Sequence, residues 1–283
     1  MSGNGSGTER GSGLFIVGRR PGEAGSVNSF TGSITGNTVA DNKGSGIYLD
    51  SLSFNGTVSH NNGSGHMRGQ FQPDNSHLRA GLSLSLMSGS GRGFYGDISD
   101  NHFFNNDRGI EILASEMTGN IVSNEIDNNH ISAGIFVGWS SSYSGRIEQN
   151  IVNESGTNGL SVNFDTTFEG EISNNTFTSN GAEGMLVQID GEAAEDFDVQ
   201  VVNNSLMGNN GGSAREVIVR NTGSGTLNLA LSGNSSTNIV PAGQFNFDLQ
   251  NNGAGTFNVT PNDVDAANDP GTVGSSNDTV NIP

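Results

Sequence analysis

Four of the sixteen basic or imidazole side chains in these 283 residues fall in one short stretch, residues 63–80, which carries His66, Arg68, His77 and Arg79. Arg108 and His130 stand at the corresponding place in the two repeats that follow. A line of such groups suits carboxylate or sulfate groups on a polymer. Set beside a sugar carboxylate, His77, Arg79, Arg108 and His130 are also the residue types that lyase or epimerase chemistry uses, to neutralise the carboxylate and move a proton. Hydrolysis of a glycosidic bond needs two carboxyl groups at a set separation. Glu111 with Asp50 or Asp165 would supply such a pair.

A second group has the character of a sugar-binding surface. Tyr48, Asp50, Phe136, Asn163 and Asp165 occupy alternate positions in apolar segments, and Trp139, the only tryptophan, follows one of them. Aromatic faces pack against pyranose C–H surfaces while carboxylates and amides hold hydroxyls. The competing reading is an ordinary polar sheet face with Phe136 and Trp139 covered by neighbouring loops, beside a solvated insertion.

These residues are positioned by a repeat. A register starts at Phe30, Phe54, Phe94, Met117, Tyr143, Phe168, Phe197 and Leu227, in steps of 23 to 30 residues except for one of 40. Seven positions after each start stands an asparagine: Asn37, Asn61, Asn101, Asn124, Asn150, Asn175, Asn204 and Asn234. An aliphatic residue follows each start by four, and glycine follows six of the starts by two. The pattern alternates with period two, as a half-buried strand does. A short apolar segment follows each Asn, and then a Gly-aliphatic-x-aliphatic segment such as Gly134-Ile135-Phe136-Val137. Three strands per turn predict a solenoid whose Asn side chains stack at the strand spacing of about 4.8 Å and bond along the axis.

Composition agrees with an extended core. Only 32% of residues are apolar and 43 are glycine, which a solenoid tolerates because each coil needs few inward positions. The net charge of −18 disfavours nucleic acid and anionic lipid as partners. Without cysteine there is no disulfide, thiolate metal site or cysteine nucleophile. No apolar run is long enough to span a membrane. Gly91-x-Gly93-x-x-Gly96 matches a dinucleotide fingerprint but leads into another coil and not a helix. Asp263, Asp265, Asn268 and Asp269 offer calcium-type oxygen ligands without the spacing of a known calcium loop. No cofactor is expected.

The Asn column and the glycine-led strands resemble the pectate-lyase-like superfamily of right-handed parallel β-helices. The resemblance covers roughly residues 30–235 and implies a fold more than an activity, since that group spans lyases, hydrolases, epimerases and non-catalytic surface proteins. It implies that the Gly-Ile-x-Leu strands form the sheet along whose outer face family members lay their substrates. None of the calcium, Asp-pair or Asp-Pro-His motifs of the enzymes is present.

The sequence therefore predicts an all-β, right-handed parallel β-helix of about nine or ten coils forming a single domain over residues 1–283. It divides into a worn first coil at 11–29, regular coils at 30–235 interrupted by the insertion at 63–80, and irregular coils and a tail at 236–283. The chain is expected to be part of a larger extracellular or cell-surface protein, a rigid spacer that binds polysaccharide, anionic polymers included, through Tyr48, Asp50, His66, Arg68, Phe136, Trp139, Asn163 and Asp165. The alternative is a polysaccharide lyase, epimerase or glycoside hydrolase working on the same face with His77, Arg79, Arg108, Glu111 and His130.

Overall fold

A computed structural model describes residues 11–18, 29–50, 52–66, 79–86, 93–114, 116–138, 142–163, 167–190, 195–210, 215–236, 246–260, 273–275 and 280–281. The chain is an all-β parallel solenoid built of three sheets. Sheet 1 is ten strands deep and contains the glycine-led segments Ile47–Asp50, Ala80–Leu86, Arg108–Ala114, Ile135–Gly138, Leu160–Asn163 and Met185–Ile189, followed by Val217–Asn221 and Phe247–Asn251, which lack the glycine. Sheet 2 holds the strands that begin the sequence register, and sheet 3 holds short strands of two or three residues. About seven coils are complete, fewer than the nine or ten expected, because strands at the two ends stack without a full set of partners.

The sequence register is the pairing register. Phe30 pairs with Phe54, Phe54 with Phe94, Met117 with Tyr143, Tyr143 with Phe168, and Phe197 with Leu227. Apart from Phe30, which is partly buried, these side chains and the aliphatic column of Ile34, Val58, Ile98, Ile121, Ile147, Ile172, Val201 and Leu231 are buried in the tube. The rings stack from coil to coil, Phe54 on Phe94 at 5.3 Å with planes 2° apart. Each such ring removed from water contributes about 1.5–3 kcal/mol.

The glycine after each start is dictated by contact. Gly145 has φ of 152°, and a Cβ there would lie 1.9 Å from the carbonyl oxygen of Gly119 in the preceding coil. The same clash recurs from Gly56 to Gly170 and ends there, because the next coil pairs Val199 with Gly170.

The corner after sheet 2 is made by one residue in the left-handed conformation followed by the ladder asparagine. His60, Asp100, Ser123, Gln149, Asn174 and Asn203 all adopt φ of 55–58° there. A side chain in that region costs on the order of 1 kcal/mol, and the ladder offsets it. Asn124 Oδ1 accepts from the backbone N–H of Asn101 at 3.1 Å and from its Nδ2 at 2.9 Å. Asn124 Nδ2 donates to Ile98 O at 2.9 Å and to Asn150 Oδ1 at 3.0 Å. Every donor and acceptor of a buried amide is thereby used.

A second ladder, not foreseen from the sequence, runs along the corner between sheets 3 and 1. It comprises Asn42, His66, Asn106, Asn129, Ser155, Asn180 and Asn209, all buried and each five residues after a member of the first. Asn106 N–H donates to Asn129 Oδ1 at 3.1 Å, and Asn180 Nδ2 donates to Asn209 Oδ1 at 2.7 Å. This ladder explains the glycine that opens each sheet 1 strand: a Cβ on Gly159 would lie 2.9 Å from Asn180 Nδ2 and 2.6 Å from the Phe177 ring.

Candidate functional site

Alternation within sheet 1 sends two columns of side chains to its outer face. One runs through Phe15, Tyr48, Ser83, Glu111, Phe136, Ser161, Leu186, Ile218 and Asp248. The other runs through Asp50, Ser85, Leu113, Gly138, Asn163, Gln188, Arg220 and Gln250. Much of this outer face is withdrawn from water: Ser83, Phe136, Ser161, Ile218 and Asp248 are all buried although they point away from the core.

Two polar clusters lie on it. In the first, the Arg108 guanidinium forms an ion pair with Glu111 Oε1, donates to Ser132 Oγ at 2.6 Å and sits 4.0 Å from the centre of the Phe136 ring. Glu111 Oε2 accepts from Ser83 Oγ at 2.9 Å. Burial pulls the Arg108 pKa down, while the Glu111 carboxylate and then Asp107 oppose the shift and keep the guanidinium charged. In the second, Arg220 Nε donates to Gln250 Oε1 at 2.8 Å and Nη1 to Gln188 Oε1 at 3.3 Å. Gln250 Nε2 donates to Asp248 Oδ2 at 2.7 Å, and Arg215 reaches the same oxygen at 3.5 Å.

Of the residues singled out from sequence, the structure brings Arg108, Glu111 and Phe136 together. Phe136 does not offer a bare ring, since Arg108 covers one face. Tyr48 stacks on Phe15 at 5.4 Å, and Phe15 is 42% exposed. Asp50 ends its strand two coils before Glu111 and two residues out of column. Ordinary strand spacings put their Cα atoms about 12 Å apart, and the Glu111 carboxylate is turned onto Arg108 and Ser83. Asn163 is half-buried and donates to Ser161 Oγ at 2.9 Å. Arg79 lies at the corner, where its N–H donates to Asp107 Oδ2 at 3.2 Å. His130 is exposed at the next corner and makes no hydrogen bond to the Arg108 cluster. Arg68, His77, Trp139 and Asp165 lie outside the described residues, as do Asp263, Asp265, Asn268 and Asp269.

His66 departs from the expected outer position. It is 0% exposed and occupies a rung of the second ladder, its Nδ1 accepting from the N–H of Asn42 at 3.2 Å and its own N–H donating to Asn106 Oδ1. Burial pushes its pKa from 6.5 to about 4, so at neutral pH it is an uncharged mimic of asparagine. The positive edge read along the insertion thus loses His66 to the interior and has Arg108 neutralised by Glu111.

Ser132, Arg215, Arg220, Asp248 and Gln250 were not among the sites read from the sequence. The alternation that places Glu111 outward also places Gln188, Arg220 and Gln250 there, but Glu216 and Asn246 replace the glycine that flags a sheet 1 strand. Among the described residues no group of three or more acidic, histidine or cysteine side chains is arranged to hold a metal, and no helix is long and apolar enough to cross a membrane. No protein-family model matches the sequence, and comparison with curated proteins and with solved structures returns no match.

Proposed function

We propose that the chain is an extracellular or cell-surface solenoid module, a rigid spacer that binds polysaccharide along the outer face of sheet 1. The observation that carries this reading is the pair of outward columns, which repeat hydrogen-bonding groups at the coil step of about 4.8 Å and run parallel to the axis. An extended polymer is the ligand that meets such a row at many points, and the partly exposed outward side chains of Tyr48, Asp50, Asn163, Gln188 and Arg220 supply partners for hydroxyls. Partnership with nucleic acid is disfavoured by the charge of −18.

The second reading, a lyase, epimerase or hydrolase on this face, is favoured by one feature, the Arg108–Glu111 pair held in a partly desolvated cluster. Against it, both Glu111 oxygens are engaged, by Arg108 and by Ser83, and no second carboxylate shares its column within one coil on either side. A glycan array followed by an ultraviolet assay for unsaturated uronate, a reducing-end assay for hydrolysis and a proton NMR spectrum of the incubated polymer for epimerisation separates the two. Binding without product is expected. Product formation that disappears in Glu111→Gln would replace the spacer reading with the enzymatic one, and failure to bind any glycan would sink both.

A further inference from the structure

Arg108 and Arg220, both on the outer face of sheet 1, are in opposite electrostatic states. Arg108 is spent: one nitrogen is on a carboxylate, others are on Ser132, and its face is on Phe136. Arg220, four coils further along, is held only by neutral acceptors, the Oε1 atoms of Gln188 and Gln250 in the coils on either side. A guanidinium has five N–H donors, and these two bonds leave three uncommitted. Asp248, in the neighbouring coil, is engaged by Arg215 and Gln250. Among the described residues Arg220 therefore keeps an uncompensated charge on the face of a strongly acidic protein, and it is only partly exposed.

The amides fix where that charge points. Gln250 is 7% exposed and anchored through Nε2 to Asp248, so its Oε1 is a stationary acceptor for Arg220 Nε. The Gln188 amide, with Oε1 on Arg220, retains its Nε2 donors beside the same guanidinium. A fork of N–H groups flanked by an amide donor matches an oxyanion with a neighbouring hydroxyl.

We propose that Arg220, oriented by Gln188 and Gln250, is an oxyanion subsite that reads the carboxylate or sulfate ester of an acidic polysaccharide. It rests on the reading of this face as polysaccharide-binding and adds the charged group selected there. The Arg108 cluster, already neutral, would take uncharged parts of the same chain.

The test combines a small-anion titration with polymer binding. The Arg220 Nε–H resonance of ¹⁵N-labelled protein is followed while galacturonate or inorganic sulfate is added. Affinities for polygalacturonate, dextran sulfate and neutral dextran are then measured for the native protein and for Arg220→Gln, which leaves an amide in a column of amides and so keeps the coil. The expected result is a saturable shift of the Arg220 resonance and a loss of about tenfold or more in affinity for the acidic polymer in Arg220→Gln. Stronger response to galacturonate or to sulfate identifies the natural group. An unmoved resonance with both anions, or unchanged acidic-polymer affinity in Arg220→Gln, overturns the subsite. If neutral dextran binds and the anions do not, only the subsite fails. If Arg220 responds to small anions while no polymer binds, the polysaccharide reading fails and the anion site stands.

Discussion

The coils up to Ile189 and the coils after it solve the same stacking problem with different residues. In the first region a glycine column in sheet 2 runs from Gly32 to Gly170 and another opens the sheet 1 strands from Gly46 to Gly184. In the second, Val199, Leu229 and Val259 continue the sheet 2 column while Glu216 and Asn246 continue that of sheet 1. Both columns change within one coil, and the repeat lengthens to 29 and 30 residues at the same place. The first region packs backbone against backbone, so nothing larger than hydrogen fits. The second packs aliphatic side chains through the same level of the tube, with Val199, Leu229 and Val259 buried beside Phe197, Leu227 and Phe257. Stacking at a fixed spacing thus requires only that successive coils agree locally.

The most disruptive way to probe this is to exchange the two recipes. Gly145→Val places a β-branched side chain at φ of 152° against the Gly119 carbonyl. A loss above about 5 kcal/mol, enough to prevent folding, is expected. The mirror change, Val199→Gly, deletes one buried side chain and adds backbone freedom, for a loss of roughly 2–3 kcal/mol and an intact fold. Thermal melts followed by circular dichroism would report both. Similar losses in the two variants would show that the regions are not built differently.

The register, the first Asn ladder and the outer position of Glu111 were legible because identical residues recur at one offset, and repetition is what stacking selects. The second ladder was not, because His66 and Ser155 break its identity. What replaces asparagine there is a hydrogen-bonding capacity, and pattern matching by residue type does not see that. Alternation assigns a side chain to a face but does not tell how far that face is covered, so it left the burial of Phe136 as one of two readings and gave no sign of the burial of Ser83. Arg108 shares the parity of inward Ile110, yet at the corner its long side chain wraps to the outer face. Arg220 went unread because the strand signature had lost its glycine.

Acid separates the regions by a smaller amount. In the first, His66 has a folded pKa of about 4 against 6.5 when free. The unfolded chain therefore takes up the proton first, and stability falls as pH drops from about 6.5 to about 4, then levels off. The full loss is on the order of 3 kcal/mol. Protonated Nδ1 would also face the Asn42 N–H donor-to-donor. Urea melts at pH 7 and pH 4.5 should show this loss in the native protein and a much smaller one in His66→Asn, which restores the ladder's usual residue. Equal acid sensitivity in the two would remove His66 as the cause.

Glu216 gives the second region the opposite sign. Its side chain is 0% exposed, Oε2 accepts from Asn209 Nδ2, and Oε1 is buried without a hydrogen-bond partner. Burial raises its pKa above the ordinary 4.5, and the Asn209 bond only partly opposes the shift. A carboxyl raised on folding destabilises the protein where it is ionised, and the penalty is relieved as pH falls through the folded pKa toward the ordinary value. Glu216→Gln keeps an acceptor for Asn209 and carries no charge, so it should stabilise the protein at neutral pH by about 1–2 kcal/mol. That gain should shrink on acidification, while the effect of His66→Asn grows. Hydrogen exchange resolved by coil would then show protection shifting toward the second region as pH is lowered. A Glu216→Gln benefit that is absent at pH 7, or constant across pH, would mean that the buried carboxylate finds its compensation elsewhere and that the two regions do not respond to acid in opposite senses.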